Sequence, residues 1–130
     1  MTKKIGVFTR VSTEAEGNSL AFQLQIAEDH ANKLNEEIAK VYEEVGMSAS
    51  IEELGESPAM QELIEDIKNG EINYLIAYRR DRLFRNSKDY LEFVSLLEEN
   101  NVELYLTASN ESHTNAFGGI VNFMNSLKMV

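Results

Sequence analysis

The chain has no cysteine, which excludes a disulfide framework and any thiolate metal site. No apolar run approaches the ~18 residues that a membrane span requires. The start, Met1-Thr2-Lys3-Lys4 and then Ile5-Gly6-Val7-Phe8, is too short for a secretory signal, so the expectation is a cytoplasmic protein. Basic residues are also scarce: 12 Lys and Arg against 22 Asp and Glu, for a net charge of −10. Phosphate affinity comes largely from Lys and Arg, so a chain this acidic is not a self-sufficient nucleic-acid binder.

What basic character exists is concentrated. All five arginines fall in two short stretches, Arg10 in one and Arg79, Arg80, Arg82 and Arg85 in the other. Guanidinium groups gathered at two points of an acidic body imply a local anion site. The 130 residues, 43% of them hydrophobic, suffice for one domain with its own core.

Residues 3–8 predict a buried strand: short, β-branched and aromatic, with polar residues on either side. Residues 9–18 predict a loop. Leu20, Leu24, Ala27, Ala31 and Leu34 recur at helical spacing over residues 19–34, with Asn18 or Ser19 as the cap. A second strand is expected over residues 38–42, followed by a mobile loop over 43–55. Ser57-Pro58 is a helix-start signal; Met60, Leu63, Ile64 and Ile67 form that helix's apolar face, and Asn69-Gly70 ends it. A third strand is predicted over 72–78. The arginine run follows, and then a helix capped by Asn86 or Ser87 that turns Tyr90, Phe93, Val94 and Leu97 inward. A fourth strand over 102–107, a polar loop over 108–115 and a last apolar stripe (Phe117, Ile120, Val121, Met124, Leu127) complete the chain.

Alternating strands and helices imply an α/β fold, a three-layer sandwich around a mostly parallel sheet of about four to five strands. Ligands in such folds gather at the carboxyl ends of strands. Arg10 and Ser12, after the first strand, therefore share a sheet edge with the arginine run after the third.

Cleaving a phosphodiester with an alcohol takes a placed nucleophile, cations for the non-bridging oxygens and a proton for the leaving oxygen. Ser12 can be the nucleophile, and Arg10, Arg82 and Arg85 the clamp, because guanidinium holds phosphate through paired hydrogen bonds. Asp81 can orient a guanidinium or move a proton. Other chemistries fit poorly. His30 and His113, the only histidines, lie in no nucleophile motif, and there is no Gly-x-Ser-x-Gly elbow. Neither a phosphate loop nor a Gly-x-Gly-x-x-Gly turn is present. The acidic pairs Glu43-Glu44 and Glu52-Glu53 read as solvated faces.

Three motifs, Phe8-Thr9-Arg10-Val11-Ser12-Thr13, Ser19-Leu20-x-x-Gln23 and Asp81-Arg82-Leu83-Phe84-Arg85, resemble the catalytic domain of the serine recombinases: resolvases, invertases and large serine integrases. Pro58-Ala59-Met60-Gln61-x-Leu63-Ile64 and Tyr74-Leu75-Ile76 look more like the large integrase and transposon-recombinase branch. The resemblance implies Ser12 as the nucleophile that forms a 5′-phosphoserine link to DNA and frees a 3′-hydroxyl. It implies Arg10, Arg82 and Arg85 as active-site arginines, Asp81 as their acidic partner and Gln23 as a polar residue near the serine. It further implies no metal or other cofactor, and no small-molecule substrate. The implied partners are double-stranded DNA, a homodimer and a synaptic homotetramer in which strands exchange by subunit rotation. On this resemblance residues 1–130 form one resolvase-like catalytic domain ending within the start of the long dimerisation helix, with the C-terminal DNA-binding region lying beyond it.

Two positions depart from the pattern. Family members usually carry an arginine immediately before the proline of the second helix, where this chain has Ser57. Arg80 stands where an apolar residue is usual, either reaching into the site or solvated. The substitution at Ser57 raises a second reading, a catalytically impaired assembly module on the same fold. A flavodoxin-like small-molecule binder is a third.

Overall fold

The computed structural model describes residues 3–11, 19–45, 57–84, 87–109 and 111–112, the side chains of Asp81, Glu111 and Ser112 excepted. Among these residues five strands and three helices follow in order: β1 (Ile5–Val11), α1 (Leu20–Lys33), β2 (Ile38–Val45), α2 (Pro58–Lys68), β3 (Tyr74–Ala77), a 3-10 turn (Arg80–Arg82), α3 (Ser87–Glu99), β4 (Glu103–Leu106) and β5 (Glu111–Ser112). The sheet order is β2-β1-β3-β4-β5. The first four strands run parallel, and β5 closes the edge antiparallel to β4. This order reverses between β1 and β3, the switch point where doubly wound sheets open a crevice for ligands.

Period-two alternation sorts the strands' side chains into two cores. Phe8, Leu75, Ala77, Leu104 and Leu106 face α2 and α3, which contribute Met60, Leu63, Ile67, Phe93, Val94 and Leu97. Ile5, Val7, Tyr74 and Ile76 face α1 through Ala27 and Ala31. Two helices therefore cover one face and α1 the other, which is the expected three-layer sandwich. Gly6 permits a close approach in the first core: a Cβ there would stand 3.1 Å from both Ile72 Cδ1 and Tyr42 Cε2.

Each described helix has a local reason to stop. Asn35 (φ 58°), Gly70 (φ 73°) and Asn101 (φ 57°) take the left-handed conformation just past α1, α2 and α3. In each case the next amide reaches back to the last turn: Glu36 N to Ala31 O at 3.0 Å, Glu71 N to Asp66 O at 2.9 Å and Val102 N to Leu97 O at 2.9 Å. These are Schellman closures, which satisfy carbonyls that the helix end would otherwise orphan. Helix starts are capped by hydroxyls, Ser19 Oγ accepting from Phe22 N at 3.1 Å and Ser57 Oγ from Met60 N at 3.0 Å.

The structure corrects the expected boundaries in three places. Thr9, Arg10 and Val11 continue β1 and are not loop, because β2 runs alongside to Val45 and pairs Arg10 with Glu44 and Val11 with Val45. By the same pairing Glu43, Glu44 and Val45 are strand residues. Within the expected polar loop after β4, Glu111 and Ser112 pair with Leu106 and Tyr105. The remainder of the expected mobile loop and the apolar stripe from Phe117 to Leu127 lie outside the described residues.

The edge strand β2 is tied down by charge. Lys40 Nζ lies 2.7 Å from Asp66 Oδ2 and 2.6 Å from Glu62 Oε2 on α2, and the Tyr42 hydroxyl donates to Asp66 Oδ2 at 2.7 Å. Burial alone would raise the Asp66 pKa; the bonds from Lys40 and Tyr42, with the Lys40 charge, outweigh it and hold the carboxyl below its ordinary value.

On the α1 face of the sheet, the His30 ring stacks on Tyr105 with centroids 3.7 Å apart. Its Nε2 lies 2.7 Å from the Tyr74 hydroxyl. Burial, then the nearby Lys33 charge, lowers the His30 pKa below 6.5, while burial and the Glu103 and Tyr105 charges push Tyr74 up to about 12. Between the lowered value and 6.5 the unfolded chain binds a proton that the native protein does not. Stability contributed by neutral His30 is thus fully present above 6.5 and is lost as pH falls through that window. Urea-unfolding midpoints measured from about pH 7.5 down to about 5.5 should decline in the parent and decline less in His30→Phe, which keeps the stacking without the titration; equal slopes would contradict the assignment.

Candidate active site

The crevice between the carboxyl ends of β1 and β3 is built around a buried arginine. Arg10, 1% exposed, is the largest side chain buried this completely among the described residues. It occupies the penultimate position of β1 because that strand outruns its neighbour: pairing with β3 stops at Phe8 opposite Ala77. Beyond that level, among the described residues, the backbone of β1 has no strand on its β3 side. Gln23, from the second turn of α1, fills the gap. Its Oε1 accepts from Arg10 N at 3.3 Å and its Nε2 donates to Arg10 O at 3.1 Å. One side-chain amide thus does what the next residue of β3 would do, satisfying both polar groups of a buried backbone position.

The guanidinium then joins the two halves of the site. Arg10 Nε donates to the backbone carbonyl of Arg82 at 3.1 Å, across 72 residues of sequence. Arg82 ends the 3-10 turn and is 8% exposed. The turn itself is closed by Leu83 N and Phe84 N, both donating to Arg80 O at 3.0 and 2.9 Å. Leu83 and Phe84 drop into the core beside it, so the motif's apolar residues anchor the turn while Arg82 stays beside the end of β1. Thr9, also buried, contributes its hydroxyl to Tyr42 O at 3.4 Å and fastens β1 to β2 just before Arg10.

Of the residues singled out by sequence, Arg10, Gln23 and Arg82 are brought together. Asp81 lies in the same turn by its backbone, and its side chain falls outside the described residues, as do Ser12 and Arg85. Arg79 and Arg80 are exposed, so of the two alternatives for Arg80 the burial pattern accords with solvation. Ser57 is completely buried and caps α2, a role worth about 1 kcal/mol. That role gives no support to an impaired module. Sequence reasoning missed Phe22 and Tyr78, which stand beside the site with rings 5.7 Å apart. The signal for Gln23's burial was available: with Ala27 and Ala31 it completes an i, i+4, i+8 row of buried positions.

Replacing Gln23 by Ala leaves the Arg10 amide and carbonyl buried without this partner. The cost should be about 1–3 kcal/mol in urea unfolding. A loss under about 0.5 kcal/mol, the usual range for surface changes, would contradict this account.

The sequence profile of the family "Resolvase, N terminal domain" matches residues 5–128. No curated protein matches the chain. Among solved structures, the N-terminal catalytic domain of TP901-1 integrase is 27% identical, with a TM-score of 0.78 over 97% of this chain and 99% of that one. A resolvase family site-specific recombinase from Streptococcus pneumoniae is 22% identical, with a TM-score of 0.72 over 98% and 91%. The C-terminal catalytic domain of ISC1926 TnpA, an IS607-like serine recombinase, shares the fold at 13% identity, with a TM-score of 0.69 over 80% and 70%. A strand order with its switch point at Arg10 and Arg82, and a profile match spanning the whole described sheet, lead to one assignment: this chain belongs to the resolvase family, as a serine recombinase catalytic domain.

Proposed function

We propose that the domain cuts and rejoins DNA through Ser12. The observation that carries this reading is the Arg10 Nε bond to the Arg82 carbonyl, which holds the end of β1 against the Asp81-Arg82 turn. Ser12 follows Arg10 by two residues in the sequence and comes directly after the last residue of β1.

In the proposed step Ser12 Oγ attacks the scissile phosphorus and gives up its proton as the P–O bond forms. The bond from phosphorus to the 3′ oxygen breaks, and that oxygen takes a proton to leave as a hydroxyl. The 5′ phosphate remains on Ser12. The reverse step, with a different 3′-hydroxyl as attacker, rejoins the strand, and the covalent link conserves the bond energy. Arg10, Arg82 and Arg85 neutralise the non-bridging oxygens. Asp81 orients a guanidinium or transfers a proton. Gln23 acts through Arg10 as a positioning residue. The partners are double-stranded DNA and further copies of the protein, a homodimer that assembles into a synaptic homotetramer.

Incubation of the protein with a nicked duplex carrying its recombination site should trap a protein–DNA adduct that alkali releases. Ser12→Ala should form none, and Arg82→Ala should form it about 10²-fold more slowly. Adduct at parental yield in Ser12→Ala would remove Ser12 as the nucleophile.

A further inference from the structure

Beside the buried arginines lies an exposed group to which the proposed chemistry gives no role. Phe22 is 43% exposed, one of two large apolar side chains so open among the described residues. Its ring meets Tyr78 edge-on, with centroids 5.7 Å apart at 75°. The Arg79 guanidinium stands over the Tyr78 ring, with Cζ 5.3 Å from the centroid. Arg79 and Arg80 are both exposed.

The backbone that carries the two rings is anchored. Phe22 sits in the first turn of α1, its amide held by the Ser19 cap, and its neighbour Gln23 is locked to the Arg10 backbone. Tyr78 directly follows β3, and its carbonyl accepts from Ala108 N at 2.8 Å. An exposed ring packed edge-on against a half-buried one, both on fixed backbone and joined to a guanidinium, is a surface of the kind that single nucleic-acid strands stack on. The charge distribution favours the same occupant. A chain of net charge −10 repels a polyanion over most of its surface, while Arg79 and Arg80 open this edge to it. A second copy of the chain docking symmetrically here would set its own arginines against these.

We propose that Phe22, Tyr78 and Arg79 form a DNA-strand contact that grips the nucleotides flanking the scissile phosphate, the rings stacking on base or sugar and Arg79 meeting a backbone phosphate. The inference rests on the recombinase reading, yet it is tested without cleavage. The probe is the single strand (dT)8, with an abasic octanucleotide of equal charge as the second arm, titrated at low salt and followed by NMR amide and aromatic shifts. Shifts should centre on Phe22, Tyr78 and Arg79, and (dT)8 should bind more tightly than the abasic strand. Phe22→Ala should weaken (dT)8 about five-fold or more and abolish the preference for bases. Arg79→Gln should flatten the slope of log K against log salt by about 0.7.

Unchanged (dT)8 affinity in both variants, or shifts mapping elsewhere, would overturn the proposal. The same shifts produced by raising protein concentration without DNA would overturn it too, in favour of a contact between copies. The adduct assay on the unaltered protein remains separate: its failure would sink the Ser12 chemistry, whereas unchanged (dT)8 binding sinks only this contact.

Discussion

Removing a guanidinium from water costs several kcal/mol unless its donors are met, and Arg10 is taken almost wholly out of water. The bond from its Nε to the Arg82 carbonyl recovers part of that cost and also fixes the geometry of the crevice. A backbone carbonyl is an acceptor that no side-chain rotamer can withdraw. The turn carrying Asp81 and Arg82 is therefore held to the end of β1 by a contact that depends only on Arg10 being in place. Everything else at this edge serves to keep Arg10 there: β2 on one side through the Glu44 pairing, and the Gln23 amide on the other.

The rest of the fold supports that edge. Seven consecutive buried residues make β1 an inner strand, and Thr9 joins it to Tyr42, whose hydroxyl is in turn held by Asp66 on α2. The Lys40 and Asp66 pair anchors the edge strand that would otherwise be the weakest neighbour of Arg10. Leu83 and Phe84 sink the far side of the Arg82 turn into the larger core. Two arginines whose charges repel one another, Arg10 and Arg82, are thereby brought together on elements that packing holds in position.

Much of this was legible in the residues. Ser57-Pro58 and Asn69-Gly70 bracket α2 as local chemistry says they should, and the inward stripe of α3 is buried at all four expected positions, Tyr90, Phe93, Val94 and Leu97. That Arg10 and Arg82 share a sheet edge followed from their positions at the carboxyl ends of strands in an alternating α/β pattern; that they touch needed the strand order β2-β1-β3. The misplaced end of β1 has a physical cause: Thr9 and Arg10 are polar, so local pattern reads them as loop, and only the long-range partners β2 and Gln23 make them strand. Asn35 and Asn101 stop their helices with a backbone conformation that asparagine tolerates but does not announce. A two-residue strand such as β5 is too short to carry a period. The spacing of Ser19-Leu20-x-x-Gln23 marked Gln23 without revealing that its amide substitutes for a strand. Phe22 passed unnoticed because exposure of one ring on an amphipathic helix is visible only once the neighbouring Tyr78 is placed.

The central claim is that Arg10 and the Arg82 turn form one unit before any DNA arrives. Nitrogen-15 NMR of the arginine side chains tests it directly. The Arg10 Nε–H should exchange slowly with solvent and show a through-hydrogen-bond coupling to the Arg82 carbonyl carbon, in the free protein. Exchange as fast as that of the exposed Arg79 and Arg80, with no such coupling, would contradict the account.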